Sequence, residues 1–172
     1  MWLLMRYASI RKMDISNGER VGISLFVQGC SLRCKGCFNS VSWDFNGGKE
    51  WTEEVKNEFL KLASKPYVTR ISILGGCPLA IENREDVLKL VEEIRDLYPD
   101  KKIWLYTGYT WEEIFTSFDC RQKIVELCDV LVDGQFEEDK KDLTLKFRGS
   151  KNQRLINIQA SLKNGEVTLL AL

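Results

Sequence analysis

Apolar and polar residues follow two different periods along this chain, and the two periods alternate. Short continuous apolar runs are typical of buried strands, and they lie at residues 21–27, 70–74, 103–106 and 129–133. Between these runs, apolar residues recur every three or four positions, which predicts helices at residues 52–65, 83–98 and 111–127. This repeated strand–helix order predicts an α/β fold with a parallel sheet, in which the strand C-termini meet at one edge.

Capping residues mark the expected limits of two helices. Thr52 and Asn83 are predicted N-caps, because their side chains can accept a hydrogen bond from the first helical turn. Pro66 and Pro99 follow the same two helices and cannot continue them.

Two Asn-Gly pairs predict β-hairpins outside the repeat, because Asn-Gly favours the tight turn that joins antiparallel strands. Residues 1–27 are expected to form strands with Asn17–Gly18 at a turn. Residues 156–170 are expected to form a second hairpin, with Asn164–Gly165 at its turn.

Length and composition fit one globular domain that spans residues 1–172, with 44% apolar residues, 29% charged residues and a net charge of zero. The chain has no excess of basic residues of the kind that would indicate nucleic acid or a membrane surface as a partner. Residues 1–5 are apolar but too short for a signal peptide or a membrane-spanning helix. We therefore expect a cytoplasmic protein, in which the six cysteines indicate metal binding or catalysis rather than disulfides.

Three of these cysteines, Cys30, Cys34 and Cys37, form a C-x3-C-x2-C array directly after the first buried strand. Thiolates at such close spacing favour a soft metal centre. Three interpretations remain open: a four-iron cluster with one iron free for a small molecule, a zinc or electron-transfer site closed by a remote cysteine, and structural thiols. The spacing favours the first, because zinc sites usually use paired knuckles and this chain has no histidine. The lack of histidine also removes the usual general base, so the chemistry is expected to come from a cofactor.

Several further motifs follow the cysteine array in a fixed order. With the array, this ordered set resembles the radical S-adenosylmethionine superfamily, and within it the family that activates anaerobic ribonucleoside-triphosphate reductase. The resembling segments are Asp14-Ile15-Ser16-Asn17-Gly18, residues 25–30, Cys37-Phe38-Asn39, Gly75-Gly76-Cys77-Pro78-Leu79, residues 102–109, residues 132–136 and residues 148–154.

The resemblance implies a partial, open (βα) barrel with an N-terminal hairpin and a C-terminal extension. It implies a [4Fe–4S] cluster on Cys30, Cys34 and Cys37, and no catalytic side chain. It also implies that S-adenosylmethionine binds at Gly36, Cys37, Phe38, Gly75 and Gly76.

The activity implied by the resemblance is reductive cleavage of S-adenosylmethionine to methionine and a 5′-deoxyadenosyl radical. That radical would remove hydrogen from a glycine of the partner, the large subunit of the anaerobic reductase. A flavodoxin or ferredoxin would donate the electron, and a homodimer is a further expectation. The alternatives are an activase of another glycyl radical enzyme, such as pyruvate formate-lyase, and a non-catalytic iron–sulfur or zinc protein.

The chain departs from the family pattern at two positions. Gly22 lies where the family's N-terminal segment usually has an arginine. Cys77 lies where relatives usually carry an acid thought to contact the cofactor's ammonium group. A neutral thiol is a poor acceptor for an ammonium, so we expect the backbone carbonyls near Gly75 and Gly76 to make that contact. The alternative is that Cys77 binds the fourth iron and closes the site.

Overall fold

The computed structural model describes residues 4–172, and its centre is a seven-stranded mixed sheet. Residues 1–3, which belong to both the predicted N-terminal strand region and the short apolar opening, lie outside the described residues. The strands are β1 (Arg6–Asp14), β2 (Gly22–Val27), β3 (Lys49–Glu50), β4 (Arg70–Gly75), β5 (Lys102–Tyr106), β6 (Val130–Asp133) and β7 (Arg154–Asn157).

The strand order is β3-β1-β2-β4-β5-β6-β7, and the sheet is not closed. The four central strands, β2, β4, β5 and β6, are parallel to one another, as the strand–helix repeat predicts. The outer strands β1, β3 and β7 run antiparallel to their neighbours. The α/β prediction is therefore confirmed, and the predicted parallel sheet is the centre of a mixed, open one.

Residues 4–172 also form five α-helices, which are α1 (Glu53–Ala63), α2 (Ile81–Leu97), α3 (Trp111–Phe115), α4 (Cys120–Glu126) and α5 (Ile158–Asn164). Each contributes buried apolar side chains to one core, through residues such as Phe59, Val91, Ile114, Ile124 and Ile158. None of the helices within residues 4–172 is both long and apolar enough to cross a membrane.

The side chains of β2 point alternately to the two faces of the sheet, so the core lies on one face and the cavity on the other. Ile23 and Leu25 are completely buried in the core that the helices cover. Ser24 and Phe26 point to the other face, because successive side chains of a strand alternate. That face carries a smaller apolar cluster around Trp104, and the cavity described below lies on it.

The predicted N-cap is confirmed for α1 and wrong for α2. The Thr52 hydroxyl accepts a hydrogen bond from Val55 N at 3.2 Å, so this N-cap prediction is confirmed. The Asn83 prediction is wrong, because α2 begins at Ile81 after Ala80, and Asn83 lies inside the helix with 1% exposure. A buried amide there can hydrogen-bond to neighbouring loops instead of capping the helix.

The single helix predicted for residues 111–127 is also wrong, because the segment forms α3 and α4. Phe118 interrupts it with a left-handed backbone, φ 55°. Asp119 then starts α4 as a new N-cap, its carboxylate accepting a hydrogen bond from Arg121 N at 2.9 Å. The apolar spacing is nearly continuous across this break, so the periodicity alone does not mark it.

The predicted hairpin at residues 156–170 is wrong in its centre, which is helix α5. The Asn157 side chain caps the helix by accepting a hydrogen bond from Ala160 N at 3.1 Å. Gly165 ends it with φ +73°, the left-handed conformation that favours glycine at a helix C-terminus. The Asn-Gly pair therefore ends a helix, and only an isolated antiparallel bridge joins Ile156 to Leu169.

The N-terminal hairpin is confirmed, since β1 pairs antiparallel with β2. The side chain of Arg70, on β4, organises the connection between these strands although it is 1% exposed. Its guanidinium donates hydrogen bonds to the carbonyl oxygens of Asp14 at 2.6 Å, Asn17 at 2.9 Å and Glu19 at 3.2 Å. A Cβ on Gly22, its partner in the sheet, would lie 3.0 Å from the guanidinium carbon.

Candidate cofactor site

The cysteine loop begins where β2 ends, and backbone hydrogen bonds join it to residues 40–48. Gly29 N donates to Ser42 O at 2.6 Å and Cys30 N donates to Trp43 O at 3.0 Å. The Phe45 ring packs so closely that a Cβ at Gly29 would lie 2.0 Å from it, and Gly29 has φ +101°. Both space and backbone conformation therefore require glycine immediately before the first cysteine.

Two buried amides hold the start of the loop in place. The Gln28 side chain donates to Asp44 O at 2.8 Å, which ties residues 40–48 to the end of β2. The Asn83 side chain, from α2, donates to Gln28 O at 3.1 Å and to Cys77 O at 2.9 Å. Sequence reasoning missed both amides, and the only signal was a polar residue within an otherwise apolar or helical pattern.

The loop curls so that all three thiols of the array face one cavity. Arg33 adopts the left-handed region at φ 48°, and Cys37 N donates to Cys34 O at 3.1 Å, which closes a turn. Cys30, Cys34 and Cys37 line a cavity of about 400 Å³ on the sheet face away from the helices. Burial raises the pKa of Cys34, and the neighbouring thiols Cys37 and Cys30 act in the same direction.

Gly75 and Gly76, at the end of β4, line the same cavity. Gly76 N donates to Val27 O at 2.8 Å, and a Cβ at Gly76 would lie 2.4 Å from the Gly29 carbonyl oxygen. The protein's own cysteine loop therefore occupies the space beside Gly76 that a side chain would need. This contact brings the glycine pair and the thiols into one wall.

The two remaining predicted site residues, Phe38 and Gly36, differ in position, and further residues of the resembling segments also line the cavity. Phe38, Thr107, Gly108, Gly134, Arg148 and Gly149 line the cavity with the cysteines. Gly36 is not among the lining residues, and a Cβ there would meet the Glu138 side chain at 3.1 Å. Phe38 packs on Phe136 with 5.1 Å between ring centroids and remains 57% exposed.

Cys77 does not line the cavity. It is 2% exposed, belongs to the core under the helices, and its Sγ lies 3.4 Å from the Thr107 hydroxyl. Burial raises the pKa of this thiol. A cluster ligand would have to face the cavity, whereas the Cys77 thiol faces the core.

The cavity wall carries cationic side chains and no acidic ones among residues 4–172. Arg11 and Arg148 are its charged lining residues. Arg11 places its guanidinium carbon 4.9 Å from the centroid of the Phe26 ring, and Arg148 donates to Gln153 O at 3.0 Å. No carboxylate of residues 4–172 therefore lines this cavity.

The donor set fits a cluster better than a single metal ion. Within the described residues, no three Cys, Asp or Glu side chains converge closely enough to hold one ion. A zinc ion needs its ligands around one point. In an iron–sulfur cluster each thiolate binds its own iron, so three thiols spread along the wall of one cavity suit that group.

Comparison with known proteins identifies the family. The 4Fe-4S single cluster domain family matches residues 16–156. An anaerobic ribonucleoside-triphosphate reductase-activating protein from Escherichia coli (strain K12) is 39% identical over 151 residues, covering 87% of this chain and 96% of that protein. This chain belongs to the family of those activating proteins. Similar proteins of the same name come from Vibrio cholerae, at 37% identity with 87% and 96% coverage, and from Enterobacteria phage T4, at 36% with 88% and 93%.

The family match covers all of the cavity wall described above except Arg11, since residues 16–156 include the cysteine loop, the glycine pair and Arg148. Arg11 is the lining residue that precedes the matched range, and α5 follows it. The family resemblance expected from the motif order is therefore confirmed.

Three buried polar groups of the cavity wall have no hydrogen-bond partner among the described residues. They are Trp43 Nε1, the Tyr106 hydroxyl and Arg148 Nε, each from a residue that lines the cavity. Burial raises the pKa of Tyr106 far above its ordinary value, with the nearby Arg70 acting in the opposite direction. Sequence reasoning missed Tyr106 as a wall residue, because an aromatic residue in an apolar segment usually belongs to the core.

Replacing Tyr106 by phenylalanine should leave the free energy of unfolding unchanged within about 1 kcal/mol, because it removes a buried hydroxyl that has no partner. Replacing Tyr98 by phenylalanine is the matched control, since the Tyr98 hydroxyl donates to Leu60 O at 2.8 Å. Its removal should cost about 1–2 kcal/mol. Urea unfolding of both variants measures the difference, and a larger loss for Tyr106 than for Tyr98 would contradict this assignment.

Replacing Gly76 by alanine should destabilise the protein by about 1–3 kcal/mol, because the new methyl group overlaps the Gly29 carbonyl and displaces the cysteine loop. Gly165→Ala is the control: nothing lies within 4 Å of a Cβ there, so only its backbone conformation adds a cost of about 1 kcal/mol. Iron content after anaerobic reconstitution should fall for Gly76→Ala and stay at the wild-type level for Gly165→Ala. Equal iron content in the two variants would contradict a steric role for Gly76.

Proposed function

We propose that this protein is a radical S-adenosylmethionine activase that installs a glycyl radical on an anaerobic ribonucleoside-triphosphate reductase. One observation carries the proposal: three thiols of one loop and the Gly75–Gly76 pair line the same cavity. Relatives named as activating proteins of that reductase are 36–39% identical over most of the chain, which supports this partner.

Cys30, Cys34 and Cys37 would hold a [4Fe–4S] cluster, and S-adenosylmethionine would occupy the adjoining cavity. Three protein ligands would leave one iron of the cluster free to bind that cofactor. The position of Cys77 in the core supports this assignment, since its thiol does not line the cavity. When bound, the two cofactors would supply a one-electron reduction and a carbon-centred hydrogen abstractor.

The protein's own residues would bind the cofactor, orient it and shield it from water. Carbonyl oxygens near Gly75 and Gly76 would accept hydrogen bonds from the N–H groups of the cofactor's amino group, in place of the acid that Cys77 replaces. Phe38, packed on Phe136, would give the cofactor an apolar surface. Gly36 would act through the loop backbone, where its φ of 74° helps to direct Cys37. The segment around Trp43 would limit the access of water.

We also propose the electron donor, the location in the cell and the type of barrel. A flavodoxin or ferredoxin would supply the electron, and the cytoplasm, where thiols remain reduced, would be the location. The open sheet, with all its helices packed on one face, would be a partial (βα) barrel of one domain. The face of the sheet that carries the cavity would admit a macromolecular substrate.

Anaerobic reconstitution with iron and sulfide tests the proposal. With dithionite and S-adenosylmethionine, the protein should form 5′-deoxyadenosine and methionine. With the reductase added, electron paramagnetic resonance should detect a glycyl radical on the partner. Product formation without a radical on this reductase would exclude it as the partner, and the absence of both products would exclude the activity.

A further inference from the structure

The outer edge of β1 lacks a partner strand over most of its length. β3 pairs with β1 only at Arg6 and Tyr7, and no other strand or bridge within residues 4–172 pairs with that side. The following residues 9–13, which we call the free edge, are mostly exposed, and Met13 is 66% exposed. Unpaired N–H and C=O groups of an edge strand are a template for another extended chain.

The free edge adjoins the cavity. Arg11 belongs to the free edge and also lines the cavity, where its guanidinium stacks over Phe26 at 4.9 Å. Asn17, which follows in the same connection, lines the cavity too. An extended chain that paired with the free edge would therefore run past the opening of the site.

The charge of the free edge indicates which chain would bind there. Arg11 and Lys12 are adjacent cations, and neither forms an ion pair with a described residue. Asp14, the acid at the end of the strand, is 4% exposed and lies 3.8 Å from Arg70 instead. Two copies pairing edge to edge would bring like charges together, which is unfavourable. An acidic occupant complements the edge.

We propose that the free edge of β1 binds an extended, acidic segment of the glycine-bearing partner as an additional strand, which presents the glycine to the cavity. Backbone hydrogen bonds would supply affinity without depending on sequence, and two carboxylates, one opposite Arg11 and one opposite Lys12, would fix the register. This inference rests on the proposed function, because the partner is the reductase named there.

Hydrogen–deuterium exchange of the cluster-loaded protein, with and without the reductase, tests the inference. Amides of residues 9–13 should exchange more slowly in the complex. Lys12→Glu should weaken this protection and raise the dissociation constant of the reductase about fivefold, which corresponds to the loss of one exposed charge pair. Lys61→Glu, on exposed helix α1 at the other face of the sheet, should leave the dissociation constant unchanged.

The other outcomes separate this inference from the proposed function. If the reductase binds and acquires its radical while residues 9–13 exchange as fast as before, the docking mode is wrong and the proposed function stands. If residues 9–13 are protected without the reductase, and increasingly so at higher protein concentration, a second copy occupies the edge and the inference is wrong. If the wild-type protein neither binds nor activates the reductase, the proposed function fails and this inference fails with it.

Discussion

Replacing Cys37 by alanine should reduce both the iron content and the formation of 5′-deoxyadenosine to background. The Cys37 thiol lines the cavity with those of Cys30 and Cys34, and no other cysteine of residues 4–172 lines it. Cys77, the other cysteine in this region, is buried in the core and hydrogen-bonds with Thr107. Two remaining thiols would bind a four-iron cluster too weakly to keep it through purification. Iron and sulfide analysis, with the visible absorption of the cluster, measures the effect.

Cys120→Ala is the matched control for this substitution. Cys120 is half-buried at the start of α4 and does not line the cavity. Its replacement should leave iron content and product formation at the wild-type level. Retention of a full cluster in Cys37→Ala, or its loss in Cys120→Ala, would show that the ligands are assigned to the wrong cysteines.

Arg70→Met should lower the free energy of unfolding by about 3–5 kcal/mol, because it leaves the buried Asp14 carboxylate without its cation and several carbonyls without their donor. The guanidinium is 1% exposed and bonds to the carbonyls of Asp14 and Asn17 and to the Ser72 hydroxyl. A loss of this size is a large part of the total stability of a small domain. Cofactor binding should weaken as well, since Asn17 lines the cavity.

Arg70→Lys is the graded control, because an ammonium keeps the charge but has fewer donors and no planar fork. It should cost about 1–3 kcal/mol. Urea unfolding of the two variants measures both values, and calorimetric titration with S-adenosylmethionine measures the effect on the cavity. A Met variant as stable as the wild type would mean that the Asp14 to Glu19 segment does not depend on Arg70.

The regular elements next to the site were predictable because their patterns are strong. Each buried apolar run became a central strand, and the residues that follow these strands lie at the same end of the sheet. Cys30, Gly76 and Gly108 consequently line one cavity, as the parallel order predicts. These contacts depend on strand direction and chain order, which a sequence specifies directly.

The errors arose where one short pattern serves two structures. Asn164–Gly165 suits a hairpin turn, but the same glycine in a left-handed conformation ends helix α5. Asn83 suits an N-cap, but its amide bonds to two loop carbonyls from within α2. In both cases the decision depends on tertiary partners that are distant in the chain.

Arg70 illustrates what a motif comparison alone cannot provide. The arginine expected near position 22 is replaced by Gly22, yet a guanidinium lies over that glycine, from the neighbouring strand. Sequence reasoning had no reason to connect the two positions, which are far apart in the chain. Their pairing in the sheet is needed to see it.

Mössbauer spectroscopy of the anaerobically reconstituted protein, before and after addition of S-adenosylmethionine, tests the central claim most directly. We expect a [4Fe–4S] cluster in which one iron differs from the other three and changes its Mössbauer parameters when the cofactor is added. Four irons that are all thiolate-bound and insensitive to the cofactor, or a protein that binds only zinc, would contradict it.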